Sequence, residues 1–140
     1  MTNLLELEFW IRHERSLGVA AIVIGIGAWV IELAGMVYIC PFCRVQRSVI
    51  VLLGVFMLFP AARHWVLRYL AFVIGFLGAV VAAQQNFMSW AKVSSGEFSW
   101  GEQWYMHPML LSGAALFIIV AQLWMIAFRD ATPGREDASR

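Results

Sequence analysis

The chain has 140 residues, 61% hydrophobic and 14% charged, with a mean hydropathy of +0.74 and a formal net charge of +1. A water-soluble domain is about 45–50% apolar and about 25% charged. The apolar excess cannot be hidden in a soluble core of this size, so the chain reads as an all-α membrane protein in contact with a lipid bilayer. The near-neutral charge excludes nucleic acid as a partner.

Residues 1–16 interleave Leu4, Leu5, Leu7, Phe9, Trp10 and Ile11 with Glu6, Glu8, Arg12, His13, Glu14 and Arg15. Asn3 followed by Glu6 matches a capping box. The pattern predicts a short amphipathic helix along the membrane surface, with a loose terminus as the alternative. Residues 17–39 are an apolar run broken only by Glu32. At about 1.5 Å per residue the run spans a hydrocarbon core of about 30 Å, and it reads as a span and not as a cleavable signal. Residues 48–62 form a second, shorter run, which reaches spanning length if its helix starts near Pro41 and Arg44 and Arg47 snorkel outward. Arg63, His64 and Arg68 make a short polar connection to a third run over 69–91. A polar loop over 92–106 follows, then a fourth run over 108–128 with Pro108 suited to its first helical position. Residues 129–140 form a charged tail that predicts disorder. The expected architecture is therefore a four-transmembrane-helix bundle over residues 17–128, between the N-terminal segment 1–16 and the tail. Gly18, Gly25 and Gly35 in the first run, and Gly75, Gly78, Ala79, Ala82 and Ala83 in the third, suit close helix approach.

Four spans put both termini on one side. That side and the turn between the second and third helices hold Arg12, Arg15, Arg63, Arg68, Arg129, Arg135 and Arg140. The other side holds Arg44, Arg47 and Lys92. The imbalance predicts cytoplasmic termini. The segment 40–47 and the 92–106 loop then face outward, where disulfides persist. Trp90, Trp100 and Trp104 fit an interfacial belt on that outer side.

Cys40-Pro41-Phe42-Cys43-Arg44-Val45-Gln46-Arg47 holds both cysteines. Pro41 at the first helical position makes Cys40 the expected N-cap, where free backbone N–H groups and the helix dipole attract a negatively charged sulfur. Cys43 and Arg47 are four apart and share a helix face. Gln46 adds an amide. A flat, lipid-soluble oxidant with carbonyl oxygens, such as a quinone, suits such a face, with the arginine stabilising its reduced oxygen and the attacking thiolate. Three chemistries remain open on these residues: redox-active thiols, a structural disulfide, which closes too small a loop to gain much, and half of a zinc or copper site completed by His107 with Glu102, or by Met106 and Met109. The metal alternative thus draws on Cys40, Cys43, Met106, His107 and Met109. Glu32, an intramembrane carboxylate, is a candidate proton donor or acceptor, or a protonated carboxyl bonded to Gln84, Gln85 or Gln122.

Cys-Pro-Phe-Cys-Arg-Val-Gln-Arg at the end of the second of four helices resembles the bacterial disulfide-bond formation protein B family, whose pattern is Cys-Pro-x-Cys, two residues, then Gln-Arg. Leu67-Arg68-Tyr69 also looks like that family, and the resemblance covers roughly residues 16–128. It implies a four-helix inner-membrane protein that passes electrons from a periplasmic thiol-disulfide protein to ubiquinone or menaquinone. By it, Cys40 and Cys43 match the quinone-proximal pair and Arg47 the arginine supporting the quinone, with Gln46, Arg44, Glu32 and Gln85 as further candidates around the cofactor. The chain departs from the family at several points. The 92–107 loop has no second cysteine pair, Gln84-Gln85 stand near the place of an Arg-His pair, Ile39 replaces a proline, and Glu32 stands where a glutamine is expected. The expected function is a membrane thiol oxidoreductase without the usual two-pair relay. The alternatives are a non-enzymatic subunit of a larger membrane complex that keeps the fold, and copper or zinc handling.

Overall fold

The computed structural model describes residue 9 and residues 12–36, 40–59, 64–97, 99 and 107–129. These residues form four helices: α1 (Glu14–Leu33), α2 (Pro41–Leu58), α3 (Trp65–Ser94) and α4 (Pro108–Phe128). All four are long and apolar enough to cross a membrane, as a multi-pass protein requires. Helices suit that setting because each backbone N–H finds its partner inside its own segment.

The helix ends follow from local chemistry. His64 Nδ1 accepts from Val66 N at 3.4 Å, and His107 Nδ1 accepts from Met109 N at 3.3 Å. Each histidine thus caps an N-terminus that would otherwise leave donors open. α1 stops at Leu33, short of the end of its apolar run. Gly35 takes φ +72°, Gly35 N donates to Glu32 O, and Met36 N donates to Ile31 O, which closes the helix in a Schellman turn. Gly35 is thus a helix stop and not a contact residue, since a Cβ there would meet nothing within 4 Å. α3 runs past the polar Lys92 and ends the same way at Gly96, φ +75°. α2 ends at Leu58 because Phe59, which precedes a proline, is extended. α1 begins at Glu14, so its first turn takes in Glu14, Arg15 and Ser16 at the end of the expected N-terminal segment. The rest of the amphipathic segment up to residue 11, apart from Phe9, lies outside the described residues, as do Trp100, Trp104, Met106 and the tail from residue 130.

α2 is the centre, packed against each of the other helices, and α3 also packs on α4. Gly18 lies against Gly54 and Gly25 against Val51; Val49 lies against Gly78 and Leu123 against Gly75. Together with Gln46 against Gln85 and Asn86 against Met109, these pairings make successive helices antiparallel. The buried apolar groups are Val49, Leu53, Met57, Ala71, Ile119, Met125 and Ile126. Outside them Val23, Ile24, Leu33, Phe76 and Phe117 are widely exposed, as lipid-facing side chains should be. At the end remote from the cysteines, Arg129 Nε donates to Glu14 Oε2 at 3.0 Å and Nη2 donates to Met57 O at 2.6 Å. Arg68 donates to Ala127 O. These arginines satisfy carbonyls at the C-terminal ends of α2 and α4.

A Cβ on Gly78 would lie 2.6 Å from Val49 Cγ1. Gly78→Leu should therefore push α3 off α2 and cost about 1–3 kcal/mol by overpacking, read as a lower thermal midpoint in detergent. Gly27, with open space around it, is the control: Gly27→Leu should leave the midpoint in place. Equal midpoints for both variants would show that α2 and α3 do not meet at Gly78.

Candidate functional site

The site is built at the start of α2. Cys40 is the N-cap, with extended backbone (φ −112°, ψ 114°), and Pro41 is the first helical residue. Cys40 Sγ accepts from Cys43 N at 3.4 Å. The cap thus folds the first sulfur over the first turn, beside the side chain of Cys43. Both cysteines are free thiols and both are half-buried.

α3 supplies the groups that meet them. Gln85 Nε2 lies 3.7 Å from Cys40 Sγ and 3.7 Å from Cys43 Sγ, within reach of a hydrogen bond to the large sulfur atom. Gln46 Nε2 donates to Gln85 Oε1 at 2.7 Å, and both glutamines are buried. One turn along, Ser89 Oγ donates to Gln85 O at 3.2 Å. Two helices and four side chains thus converge on one point. The sequence named Cys40, Cys43, Gln46 and Gln85 separately; their joining into one hydrogen-bonded chain appears only in three dimensions.

The cations go elsewhere. On sequence, Arg47 shares a helix face with Cys43. In the structure its Nη1 donates to Glu32 Oε2 at 2.5 Å and to Ala28 O at 3.2 Å, so the guanidinium crosses to α1. Arg44 Nε donates to Glu32 Oε1 at 2.5 Å, and its guanidinium lies 5.8 Å from the Trp29 ring centroid. The Glu32 side chain is 1% exposed, against 20% for Arg47 and 41% for Arg44. The reason is the early stop of α1. Glu32 lies in its last turn, level with the start of α2, where two arginines one turn apart can both reach it. Of the expected glutamine partners, Gln85 bonds to Gln46 and the cysteines, and Gln122 Nε2 donates to Ile50 O at 3.1 Å. Glu32 is accordingly the counter-ion of a two-arginine cluster and not a carboxyl bonded to glutamines. Ala28 O and Trp29 belong to this cluster and carried no signal in the sequence beyond their spacing from Glu32 on α1.

α4 joins the same end of the bundle. Asn86 Nδ2 donates to Met109 O at 2.9 Å and to Ser112 Oγ at 3.2 Å. Of the alternative metal ligands, His107 is the cap of α4 and Met106 lies outside the described residues. Among the described residues no group of three or more His, Cys, Asp or Glu side chains is close enough to share a metal ion.

The arrangement has clear chemical capacity. Two thiols sit side by side at the positive end of a helix, with an amide donor aimed at both sulfurs and a clustered guanidinium pair one turn away. A search against protein-family models, one of curated proteins and one of solved structures each found no match, so the likeness to the disulfide-bond formation protein B family rests on the quoted motif residues and the helix count.

Proposed function

We propose that the chain is an integral membrane thiol oxidoreductase of a bacterial inner membrane. In this reading the termini are cytoplasmic, the cysteine end faces the periplasm, and electrons pass from an external dithiol protein through Cys40 and Cys43 to a quinone, ubiquinone or menaquinone. The observation that carries the reading is the meeting of both sulfurs at a single amide, with Gln85 Nε2 at 3.7 Å from each. Packing gives two thiols no use for a shared donor, whereas a donor within reach of both sulfurs stabilises whichever one becomes a thiolate when the bond between them breaks.

The residues near the pair fit a quinone in their donor chemistry. A guanidinium carries five N–H groups, and Arg47 uses Nη1 alone for its bonds to Glu32 and Ala28. Its other N–H groups remain for a carbonyl oxygen at the lipid boundary, as do those of the half-exposed Arg44. A bound quinone supplies the oxidant, taking up two electrons and two protons for each disulfide formed. The chain's own part comes first on the protein side. A thiolate of the external protein attacks Cys40 Sγ, the Cys40–Cys43 bond breaks, and its electron pair leaves on Cys43 Sγ. The second thiolate of the partner then attacks its own mixed-disulfide sulfur and releases Cys40. The partner leaves with a disulfide, and the dithiol at Cys40 and Cys43 awaits reoxidation.

The purified protein in lipid nanodiscs, given dithiothreitol as the dithiol and a water-soluble ubiquinone analogue, should form quinol at a steady rate that Cys40→Ala abolishes. A rate equal to that of Cys40→Ala nanodiscs would overturn the reading in favour of a non-catalytic subunit.

A further inference from the structure

We infer that Gln85 is the group that holds negative charge on either sulfur, and that Gln46 is the positioning residue that aims it. Its part in turnover rests on the oxidoreductase reading above; its effect on the thiols does not.

The cation expected to serve the cysteines bonds a carboxylate on the neighbouring helix instead of either sulfur. Arg47 and Arg44 are both committed to Glu32 on α1. The charged groups near the pair are therefore Arg44 and Arg47 on α2 itself and Glu32 on α1, which offsets them. α3 brings the neutral Gln85 and Ser89, and α4 begins at His107, whose Nδ1 accepts from Met109 N. Among the described residues, the side-chain group in hydrogen-bond reach of both sulfurs is Gln85 Nε2. Its amide cannot swing freely, because Gln46 Nε2 donates to Gln85 Oε1 at 2.7 Å and so leaves the NH₂ end facing the thiols. Equal distances to the two sulfurs mean that one donor serves both halves of thiol exchange without moving. When the bond between Cys40 and Cys43 breaks, the electron pair arrives on Cys43 Sγ, and Gln85 donates to it there. When the partner releases Cys40, the thiolate forms on Cys40 Sγ, and the same nitrogen donates again.

The test is the alkylation rate of the reduced, purified protein by monobromobimane as a function of pH, which reads thiolate without quinone or partner. A hydrogen bond to a charged group is strong enough that Gln85→Leu should slow alkylation near neutral pH roughly tenfold. The rates of variant and wild type should converge at strongly alkaline pH, where both thiols ionise without help. Gln46→Leu should shift the profile the same way by less, because the donor remains but loses its aim. A merely structural role would change melting without moving the pH profile. Gln85→Glu, of the same size, guards against misfolding of the leucine variant: a carboxylate only accepts, so it too should slow alkylation at neutral pH. An unchanged profile in folded Gln85→Leu or in Gln85→Glu would overturn the inference. Absence of quinone reduction by the wild-type protein, with the alkylation profiles of the variants as expected, would instead count against the oxidoreductase reading alone.

Discussion

Cys43→Ser is expected to trap a mixed disulfide between Cys40 and an external thiol protein, while Cys40→Ser traps none, and both variants lose all turnover. Cys40 precedes the helix and Cys43 lies one turn in, where its backbone N–H is already bonded to Cys40 Sγ. An incoming thiolate therefore meets Cys40 first, and Cys43 is the thiol that leaves and that attacks Cys40 Sγ when the exchange runs in reverse. In Cys43→Ser the Cys40 thiolate attacks the disulfide form of the partner, whose S–S bond breaks as the mixed disulfide forms; with no Cys43 to displace it, the partner stays attached and can be cut from a non-reducing gel and identified. Since the 92–107 loop has no cysteine pair to act as go-between, the partner must reach Cys40 directly. The same experiment reads orientation, because an exported partner agrees with a periplasmic cysteine end and a cytoplasmic one reverses it. If the covalent adduct forms in Cys40→Ser and not in Cys43→Ser, the assignment of the two thiols is inverted.

Much of the scaffold was legible in the sequence, and the reasons are physical. A span is set by a count of apolar residues against the thickness of hydrocarbon, so four runs gave four helices, and Pro108 and Pro41 marked the starts of α4 and α2 correctly. The ends were less legible. Gly35 reads equally well as a packing glycine and as a helix stop, and only its positive φ decides. Gly54, against Gly18, carried the α1–α2 crossing but lay alone in its run, so no pattern of small residues drew attention to it. At the site, one-dimensional spacing located Cys40 as the cap, because a cap depends on its own neighbours. It did not reveal the bonds of Arg47 to Glu32 and Ala28 O, because a shared helix face says where a side chain starts and not which neighbouring helix attracts its charge. The attraction came from Glu32, whose height in the bundle was set by the stop at Gly35.

The same cluster carries the largest expected effect on stability. Glu32→Ala leaves two guanidiniums one turn apart with no counter-ion, where the native carboxylate bonds each at 2.5 Å. Removing one partner of a buried ion pair costs about 3–5 kcal/mol. The low end is expected here, because the Arg44 side chain is 41% exposed and screening weakens its share. Arg47→Met should cost more than Arg44→Met, since Arg47 is the less exposed and also bonds Ala28 O, tying α2 to the backbone of α1. Ion pairs in such settings are costly to break and cheap to replace. Glu32→Ala combined with Arg47→Met should therefore recover part of the loss caused by Glu32→Ala alone, as read from thermal midpoints in detergent. Strict additivity of the two single losses would mean that the side chains do not interact. The quinone-reduction rate separates this role from a proton relay. A Glu32 that only holds α1 to α2 leaves the rate of the folded Glu32→Gln protein near wild type while its midpoint falls. A Glu32 that moves protons slows that rate at an unchanged midpoint. With both carboxylate oxygens already accepting from guanidiniums, the first outcome is the expected one.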